Sequence, residues 1–209
     1  VHILECCRKY SVKRVIFSSS AATYGDVDEK ALPLPETLPQ EPLSFYGLTK
    51  MTVEKYLALY HLAYDLHYVV LRFANVYGER QGDGGEGGVI SIFAKRLAKG
   101  EGITIFGNGK QTRDFVYAGD IAKGIRLALT TENADTCYNL STQTETSLND
   151  LVTILSKVTG KQITPSYGPT REGDIYRSSL ANEKAVLHWI PEMPLEEGLK
   201  RTYEYFQKQ

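Results

Sequence analysis

Tyr46 and Lys50 form a Y-x-x-x-K pair at the start of a segment with helical periodicity. A spacing of four residues places both side chains on one helix face, one turn apart. A lysine ammonium in that position favours the phenolate form of the tyrosine, which a general base near pH 7 requires. The alternative is a tyrosine in the core beside a lysine in solvent, and so short a motif does not exclude it.

A serine cluster, Ser18 to Ser20, follows the apolar run Val15–Phe17, which is typical of a buried strand. Open α/β sheets bind ligands at the carboxyl ends of their strands. A serine hydroxyl here is therefore placed to bond a substrate oxygen beside the tyrosine. The alternative is a strand end whose hydroxyls bond only the local backbone.

The glycine-rich stretch GDGGEGG contains Gly82, Gly84 and Gly87, which satisfy the dinucleotide-binding pattern G-x-G-x-x-G. About nine residues separate this stretch from the preceding strand, whereas the dinucleotide fingerprint needs a tight strand-to-helix turn. Asp83 and Glu86 would also place carboxylates beside a pyrophosphate. We therefore interpret the stretch as a loop and not as the phosphate loop of a cofactor site.

Short apolar runs alternate along the chain with segments of helical periodicity, which predicts an α/β fold with a parallel sheet. The predicted strands are Val15–Phe17, Leu66–Phe73, Ile103–Phe106, Phe115–Tyr117 and Cys137–Leu140. The predicted helices are Val1–Tyr10, Tyr46–Tyr64, Val89–Lys99, one capped by Asp120 that runs to Leu129, one from Ser147 to Gly160, Asn182–Leu187, and one from Leu195.

Composition excludes several classes of partner. The 24 basic and 25 acidic residues nearly cancel, which gives no support for binding nucleic acid or a membrane surface. The longest apolar runs are strand-sized, so we expect no membrane span. Cys6, Cys7 and Cys137 form neither C-x-x-C nor a Cys/His cluster. We therefore predict a reducing, cytoplasmic location with no disulfide framework and no metal site.

Five motifs occur in order: SSSAATYG, SFYGLTK, LRFANVYG, GNGKQTRDFVYAGD and REGD. In this order they resemble the NAD-dependent epimerase/dehydratase family of extended short-chain dehydrogenases, and within it the UDP-hexose 4-epimerases. The similarity covers essentially the whole chain. It implies a Rossmann-type doubly wound parallel sheet with a smaller α/β substrate-binding domain.

The resemblance implies roles for the residues around the reacting sugar. Ser20 would hydrogen-bond the sugar O4, Tyr46 would be the acid/base, and Lys50 would hold the nicotinamide ribose. Phe73, where the family often has tyrosine, would border the nicotinamide. The implied reaction is a reversible redox cycle: Tyr46 takes the proton of the 4-hydroxyl while the C4 hydride passes to NAD, and the hydride returns to the other face of the 4-keto sugar.

The resemblance also implies a second set of residues that binds the UDP part of the substrate. Two guanidiniums in that set are suited to a diphosphate, and the amino terminus of a helix suits the same group. An alternative for Arg171 and Asp174 is a surface ion pair. The implied contacts are Asn75, Gly88, Val89, Arg113 and Arg171 with phosphate, Thr104 and Phe106 with uridine, and Asp174 with ribose.

Two departures from the family pattern bear on the activity. Sister 4,6-dehydratases carry Asp-Glu after the catalytic threonine, whereas Ala21 and Ala22 follow Ser20 here, which favours epimerisation over dehydration. A bulky residue at the position of Ser178 excludes N-acetylated sugars in the family, so we expect UDP-GlcNAc and UDP-GalNAc to be accepted beside UDP-glucose and UDP-galactose. Another sugar-nucleotide epimerase, decarboxylase or dehydratase, or a non-catalytic nucleotide-sugar-binding fragment, stays open.

Family members begin with a glycine-rich cofactor loop and a first half-sheet, which precede the helix where this chain starts. We expect that this chain is the C-terminal two-thirds of the enzyme, binds NAD poorly and is inactive alone. Residues 1–75 with 114–137 would then be the rest of the NAD domain, and 76–113 with 138–209 the substrate region. The family's homodimer would use the helices near 1–10 and 46–64.

Overall fold

The computed structural model describes residues 1–82, 88–171, 175–183 and 188–209. Six α-helices are described: α1 His2–Lys9, α2 Phe45–Tyr64, α3 Val89–Ala98, α4 Ala118–Thr130, α5 Leu148–Thr159 and α6 Leu195–Gln207. Nine strands are described in the same residues: β1 Arg14–Ser20, β2 His67–Phe73, β3 Asn75–Tyr77, β4 Thr104–Phe106, β5 Thr112–Arg113, β6 Phe115–Tyr117, β7 Thr136–Leu140, β8 Thr146–Ser147 and β9 Ser166–Gly168.

The largest sheet is parallel, with strand order β1-β2-β7. In β2, the central strand, Val69, Val70 and Leu71 are all buried, as expected for a parallel strand covered on both faces. The register pairs Ser20 with Phe73 and Phe73 with Leu140, so the three strands end together. The predicted α/β class with a parallel sheet is confirmed.

Strand β1 is longer than the sequence predicted, because Ser18, Ser19 and Ser20 belong to it and do not follow it. They alternate as a strand requires, with Ser18 exposed and Ser19 buried. Within the described residues β1 pairs only with β2, which leaves it at the sheet edge. The three serines are therefore the last residues of β1, at the carboxyl end of the sheet.

A second region holds the shorter strands and its own core. Strand β3 pairs with β6 and β4 with β9, both in parallel, whereas β5 and β8 are antiparallel. Helices α3, α5 and α6 pack over them. The division of the chain into a cofactor region and a substrate region stays a prediction, and β7 continues to Leu140, three residues past the boundary placed at 137.

A side chain caps the amino end of two of the six described helices, α2 and α5. Ser147 and Asp150 form a reciprocal capping box on α5, and Gly160 ends that helix with left-handed backbone. The assignment of Asp120 as a helix cap is wrong: α4 begins at Ala118, and Asp120 lies in its first turn. Its carboxylate instead accepts the backbone N–H groups of Glu192 and Met193. The helix predicted at Asn182–Leu187 falls largely on residues outside those described.

Candidate active site

Tyr46 and Lys50 lie in the first two turns of α2, which Ser44 caps by accepting the Gly47 N–H at 3.0 Å. The Lys50 Nζ lies 5.4 Å from the centre of the Tyr46 ring and donates to the Ser18 carbonyl oxygen at 2.9 Å. The ammonium is thus tied to β1 and held beside the phenol. The structure therefore has the same-face geometry that the sequence predicted for this pair.

Gly47 allows the start of α2 to approach the end of β1. A Cβ at Gly47 would collide with the carbonyl oxygen of Ala22. Ser20, the last residue of β1, accepts the Ala22 N–H through its Oγ at 3.1 Å, so this local bond uses one acceptor position of the hydroxyl. The turn after β1 and the start of α2 thereby bring Ser20 and Tyr46 to one cavity.

We call this space the tyrosine cavity, which has a volume of about 370 Å³. It lies at the carboxyl end of the parallel sheet, between the turn after β1 and the segment around Ser178. Ala21 and Ala22 also line it, where the family's dehydratases would carry two carboxylates. The sequence-predicted residues that line it are Ser20, Tyr46, Phe73, Asn75, Arg113 and Ser178.

A second space, the β4 cavity, has a volume of about 210 Å³. In β4 the side chain of Ile105 is buried, while Thr104 and Phe106 alternate with it and face the cavity. The guanidinium of Arg171 lies 4.0 Å from the centre of the Phe106 ring. Sequence-predicted residues that line this cavity are Asn75, Val89, Thr104, Phe106, Arg113 and Arg171.

A third space, the Gly88 cavity, has a volume of about 280 Å³ and lies beside the start of α3. Gly88 is the N-cap of α3 and offers no side-chain cap, and Gly88, Val89 and Ile90 at the start of this helix line the cavity. Ser20, Tyr46, Phe73 and Asn75 also line it. Asn75 therefore lines all three cavities, and Arg113 lines the first two.

Asp174, and positions 83–87 of the glycine stretch, lie outside the described residues. Every other predicted site residue lines at least one cavity, except Lys50, whose ammonium bonds the Ser18 carbonyl oxygen in β1.

The sequence did not identify Gln111, which lines the β4 cavity and donates to the Phe106 carbonyl oxygen at 2.6 Å. Its place in the motif GNGKQTRD was the available signal.

Arg177 is a further residue of the tyrosine cavity that the sequence did not identify. Its guanidinium donates twice to Glu145, at 2.6 and 2.8 Å, and once to Glu29 at 3.0 Å. These carboxylates raise the pKa of Arg177, chiefly through the hydrogen bonds of Glu145. The same pair lowers the pKa of Glu145, first through the Arg177 hydrogen bonds. In the wall of the tyrosine cavity, the positive charge of Arg177 is therefore balanced by Glu145 and Glu29.

The residues present also fit part of a dinucleotide. Phe73 offers an aromatic surface in the Gly88 cavity. The Gln81 side chain donates to the Val76 carbonyl oxygen at 3.1 Å, whereas its buried Oε1 has no hydrogen-bond partner among the described residues. A flat ring that carries a carboxamide donor suits this pairing of an aromatic wall with an unpaired acceptor.

A parallel sheet whose carboxyl end carries a tyrosine–lysine pair, beside a second region with its own core, is typical of an α/β protein of the Rossmann type. The chain belongs to the NAD dependent epimerase/dehydratase family, whose model matches residues 1–141. A putative UDP-glucose 4-epimerase of Methanocaldococcus jannaschii is 44% identical over 98% of this chain and 67% of its own length.

Two solved structures are similar over nearly the whole chain. The UDP-glucose 4-epimerase of Thermotoga maritima with UDP-glucose has a TM-score of 0.92 and 42% identity, over 99% of this chain and 67% of that one. The UDP-N-acetylglucosamine 4-epimerase of Methanobrevibacter ruminantium with UDP-N-acetylmuramic acid has a TM-score of 0.93 and 33% identity, over 98% and 66%. The chain thus spans about two-thirds of the length of these proteins.

Within the described residues, no helix combines the length and the apolar character that crossing a lipid bilayer requires. Cys6, Cys7 and Cys137 form no disulfide.

Proposed function

We propose that this chain carries the proton-transfer and substrate-binding machinery of a UDP-hexose 4-epimerase. The observation that carries the proposal is the position of Tyr46. Its ring lies beside the Lys50 ammonium, shares the tyrosine cavity with Ser20, and is linked through Asn75 and Arg113 to a second cavity lined by Phe106.

In this proposal Tyr46 removes the proton from the 4-hydroxyl of the bound sugar and returns it after the ring has turned over. Ser20 holds the O4 atom in line with the phenol. The Lys50 ammonium lies beside the phenol ring, and its bond to the Ser18 carbonyl oxygen keeps it in place. Ala21 and Ala22 supply no carboxylate for water loss, which supports epimerisation over dehydration.

NAD is the cofactor that the family implies. When bound it supplies a reversible hydride acceptor for C4 of the sugar. Lys50 and Tyr46 would hold its nicotinamide ribose, and Phe73 would border the nicotinamide in the Gly88 cavity. The unpaired Oε1 of Gln81 in that cavity suits a carboxamide donor.

The substrate's nucleotide fits the β4 cavity. We propose that Thr104 and Phe106 contact the uridine, with the Arg171 guanidinium stacked on Phe106 at 4.0 Å. The diphosphate would then lie between Arg113, Asn75 and the first amides of α3, where positive charge and backbone donors converge. Asp174 stays the proposed ribose ligand.

The walls of the tyrosine cavity also indicate which sugars fit. Ser178 is small, which leaves room for an N-acetyl group. Arg177 is held by two carboxylates and offers no uncompensated charge to a sugar carboxylate. We therefore propose neutral hexoses and N-acetylhexosamines as substrates in preference to hexuronates.

The experiment is twofold. UDP-glucose is titrated into this chain by calorimetry, and UDP-galactose formation is assayed with NAD, with and without the N-terminal segment that the resemblance predicts, supplied as a second polypeptide. We expect binding by the chain alone and turnover only with that segment. Tyr46→Phe should then lower turnover by about 10²–10⁴-fold and leave UDP-glucose affinity unchanged.

Binding without turnover under every condition would favour the alternative, a non-catalytic nucleotide-sugar-binding module. Absence of UDP-glucose binding would contradict the proposal itself. Turnover by the chain alone would overturn only the expectation that it is inactive.

We further propose that the chain forms a homodimer through α1 and α2 and acts in the cytoplasm. The support for the dimer is a set of exposed apolar side chains on these helices, which soluble monomers rarely leave uncovered. They are Ile3, Leu48, Tyr56, Leu59 and Leu62. The support for the location is the presence of three cysteines without a disulfide.

A further inference from the structure

Two histidines and an aspartate converge at the amino end of the parallel sheet, away from the three cavities. His61 lies in the last turn of α2, His67 is the first residue of β2, and Asp135 precedes β7. One donor atom from each lies within 4.8 Å of the other two. The His61 Nδ1 is 3.3 Å from Asp135 Oδ1, and the His67 Nδ1 is 2.9 Å from Asp135 Oδ2.

The backbone holds these three residues in place. Helix α2 ends at Tyr64, and the left-handed Asp65 returns its N–H to the His61 carbonyl oxygen at 2.8 Å, so that only two residues separate α2 from β2. Asp135 donates its N–H to the Tyr68 carbonyl oxygen at 2.6 Å and accepts the Tyr68 N–H on Oδ1 at 3.0 Å. The second bond also fixes the direction of the carboxylate, as outer-shell bonds do in metal sites.

The 3.3 Å between His61 Nδ1 and Asp135 Oδ1 is the spacing of two ligands on one ion, and the 2.9 Å contact of His67 with Asp135 is a hydrogen bond that an ion would replace. Ligands about 2.0–2.1 Å from a tetrahedral zinc ion lie roughly 3.3 Å from one another. Two imidazole nitrogens and one carboxylate are a donor set that suits zinc and its first-row neighbours and not Mg²⁺ or Ca²⁺, which prefer oxygen ligands.

A second observation points to a ligand. The Nδ1 of His61 is shielded from solvent and, although Asp135 Oδ1 lies 3.3 Å away, it makes no hydrogen bond to any described residue. Polar atoms in this position usually have a partner. His67 is 47% exposed, so one side of the group is open for an ion to enter and for water to complete its coordination.

We propose that His61, His67 and Asp135 form a binding site for one divalent zinc-class cation. The ion would connect the end of α2, the start of β2 and the start of β7, and it would stabilise the fold because it binds only when these elements are assembled. The sequence led us to expect no metal site, because that expectation rested on cysteine spacing, whereas these residues lie 6 and 68 positions apart along the chain.

The test uses the metal-free chain with Cys6→Ser and Cys7→Ser, because two adjacent thiols would bind Zn²⁺ themselves. Zn²⁺ is titrated by calorimetry near pH 7, and thermal unfolding is followed with and without excess ZnCl₂. We expect one Zn²⁺ per chain and, at a hundredfold excess over Kd, an increase in Tm of about 5–10 °C.

His67→Gln and Asp135→Asn should each weaken Zn²⁺ binding by at least about tenfold and abolish the increase in Tm. Asparagine tolerates the left-handed backbone of Asp135 and keeps an acceptor for Tyr68, so this variant should fold. His2→Gln, which changes a histidine outside the group, is the matched control and should bind Zn²⁺ normally.

Loss of Zn²⁺ binding in both variants, with the metal-free Tm unchanged, would support the proposal. Three results would overturn it: no saturable Zn²⁺ binding, equal binding by Asp135→Asn, or equal competition by Mg²⁺. The first of these would mean that Asp135 forms only an ion pair with the histidines.

Discussion

Glu54 and Arg72 form a salt bridge beneath the site, with 2.7 Å between Oε2 and Nη2 and with both side chains more than nine-tenths buried. Arg72 also donates to the Tyr24 hydroxyl at 2.9 Å, and Glu54 accepts the hydroxyl of Ser19. Burial works to lower the pKa of Arg72, but the Glu54 hydrogen bonds and nearby charges raise it above its usual value. Glu54 lies one helical turn beyond Lys50, so the same face of α2 carries both groups against β1.

Removing one partner of this buried pair should be costly, because it leaves the other charge uncompensated. We expect Glu54→Gln and Arg72→Met each to lower the free energy of unfolding by about 3–5 kcal/mol, and the double variant to recover part of that loss. Urea unfolding at pH 7 measures all three. Lys157→Met is the control: its partner Glu196 is equally close at 2.7 Å but exposed, so it should cost less than about 1 kcal/mol. Equal losses in buried and exposed pairs would contradict this account.

The stack of Arg171 on Phe106 should contribute to nucleotide affinity. Arg171→Ala removes both the charge and the stack, and we expect UDP to bind about tenfold to a hundredfold more weakly. Arg171→Lys keeps the positive charge, so we expect it to lose less of the UDP affinity. Calorimetric titration of UDP measures each Kd. The control is Arg201→Ala, because Arg201 lies 5.8 Å from the Tyr117 ring and does not line the β4 cavity. An equal effect of the Arg201 change would refute the assignment.

The size of residue 178 should decide whether an N-acetyl group is accepted. Ser178→Tyr fills part of the tyrosine cavity, so we expect loss of UDP-GlcNAc binding with UDP-glucose binding retained. Ser178→Ala preserves the space and should change neither. Competition between the two nucleotide sugars gives the ratio of affinities. If Ser178→Tyr still binds UDP-GlcNAc as the native chain does, the cavity does not select by size at this position.

The Glu145–Arg177 pair should stabilise the fold at neutral pH and lose that stabilising effect in acid. The pKa of Glu145 is lower in the folded chain than in the unfolded chain, first because of the Arg177 hydrogen bonds. Its stabilising effect is therefore complete above the unfolded pKa of about 4.3 and is lost as pH falls through the lower folded pKa. Urea midpoints between pH 2 and 7 should fall less steeply on the acid side for Glu145→Gln than for the native chain. Parallel curves would show that the pair does not couple to folding.

Self-association through α2 should be sensitive to charge on its outer face. Leu62 is 82% exposed, and Leu62→Glu should shift a dimer to monomer in sedimentation experiments. Leu129→Glu, a change at an exposed leucine on α4, should leave the assembly unchanged. A monomeric native chain, or dissociation by both changes, would remove the support for this interface.

Local patterns in the sequence predicted the six described helices and five of the nine described strands, and the resemblance carried by the ordered motifs predicted eleven of the residues that line the three cavities. The helix from Ser147 to Gly160 could be predicted because both of its ends are encoded within a few residues. Asp120 could not be placed, because its carboxylate bonds amides more than 70 positions away. The Glu54–Arg72 pair and the histidine cluster likewise depend on which helix packs on which strand, and a single sequence does not state this.

The position of Asn75 limits how substitutions can alter this site. The three-residue strand β3 pairs Asn75 with Phe115, and its N–H bonds the carbonyl oxygen of Asp114, next to Arg113. This short strand pairing thus sets the position of the one residue, among those described, that lines all three cavities. Under the proposed function, a substitution that moves Asn75 should therefore change nucleotide affinity and turnover together.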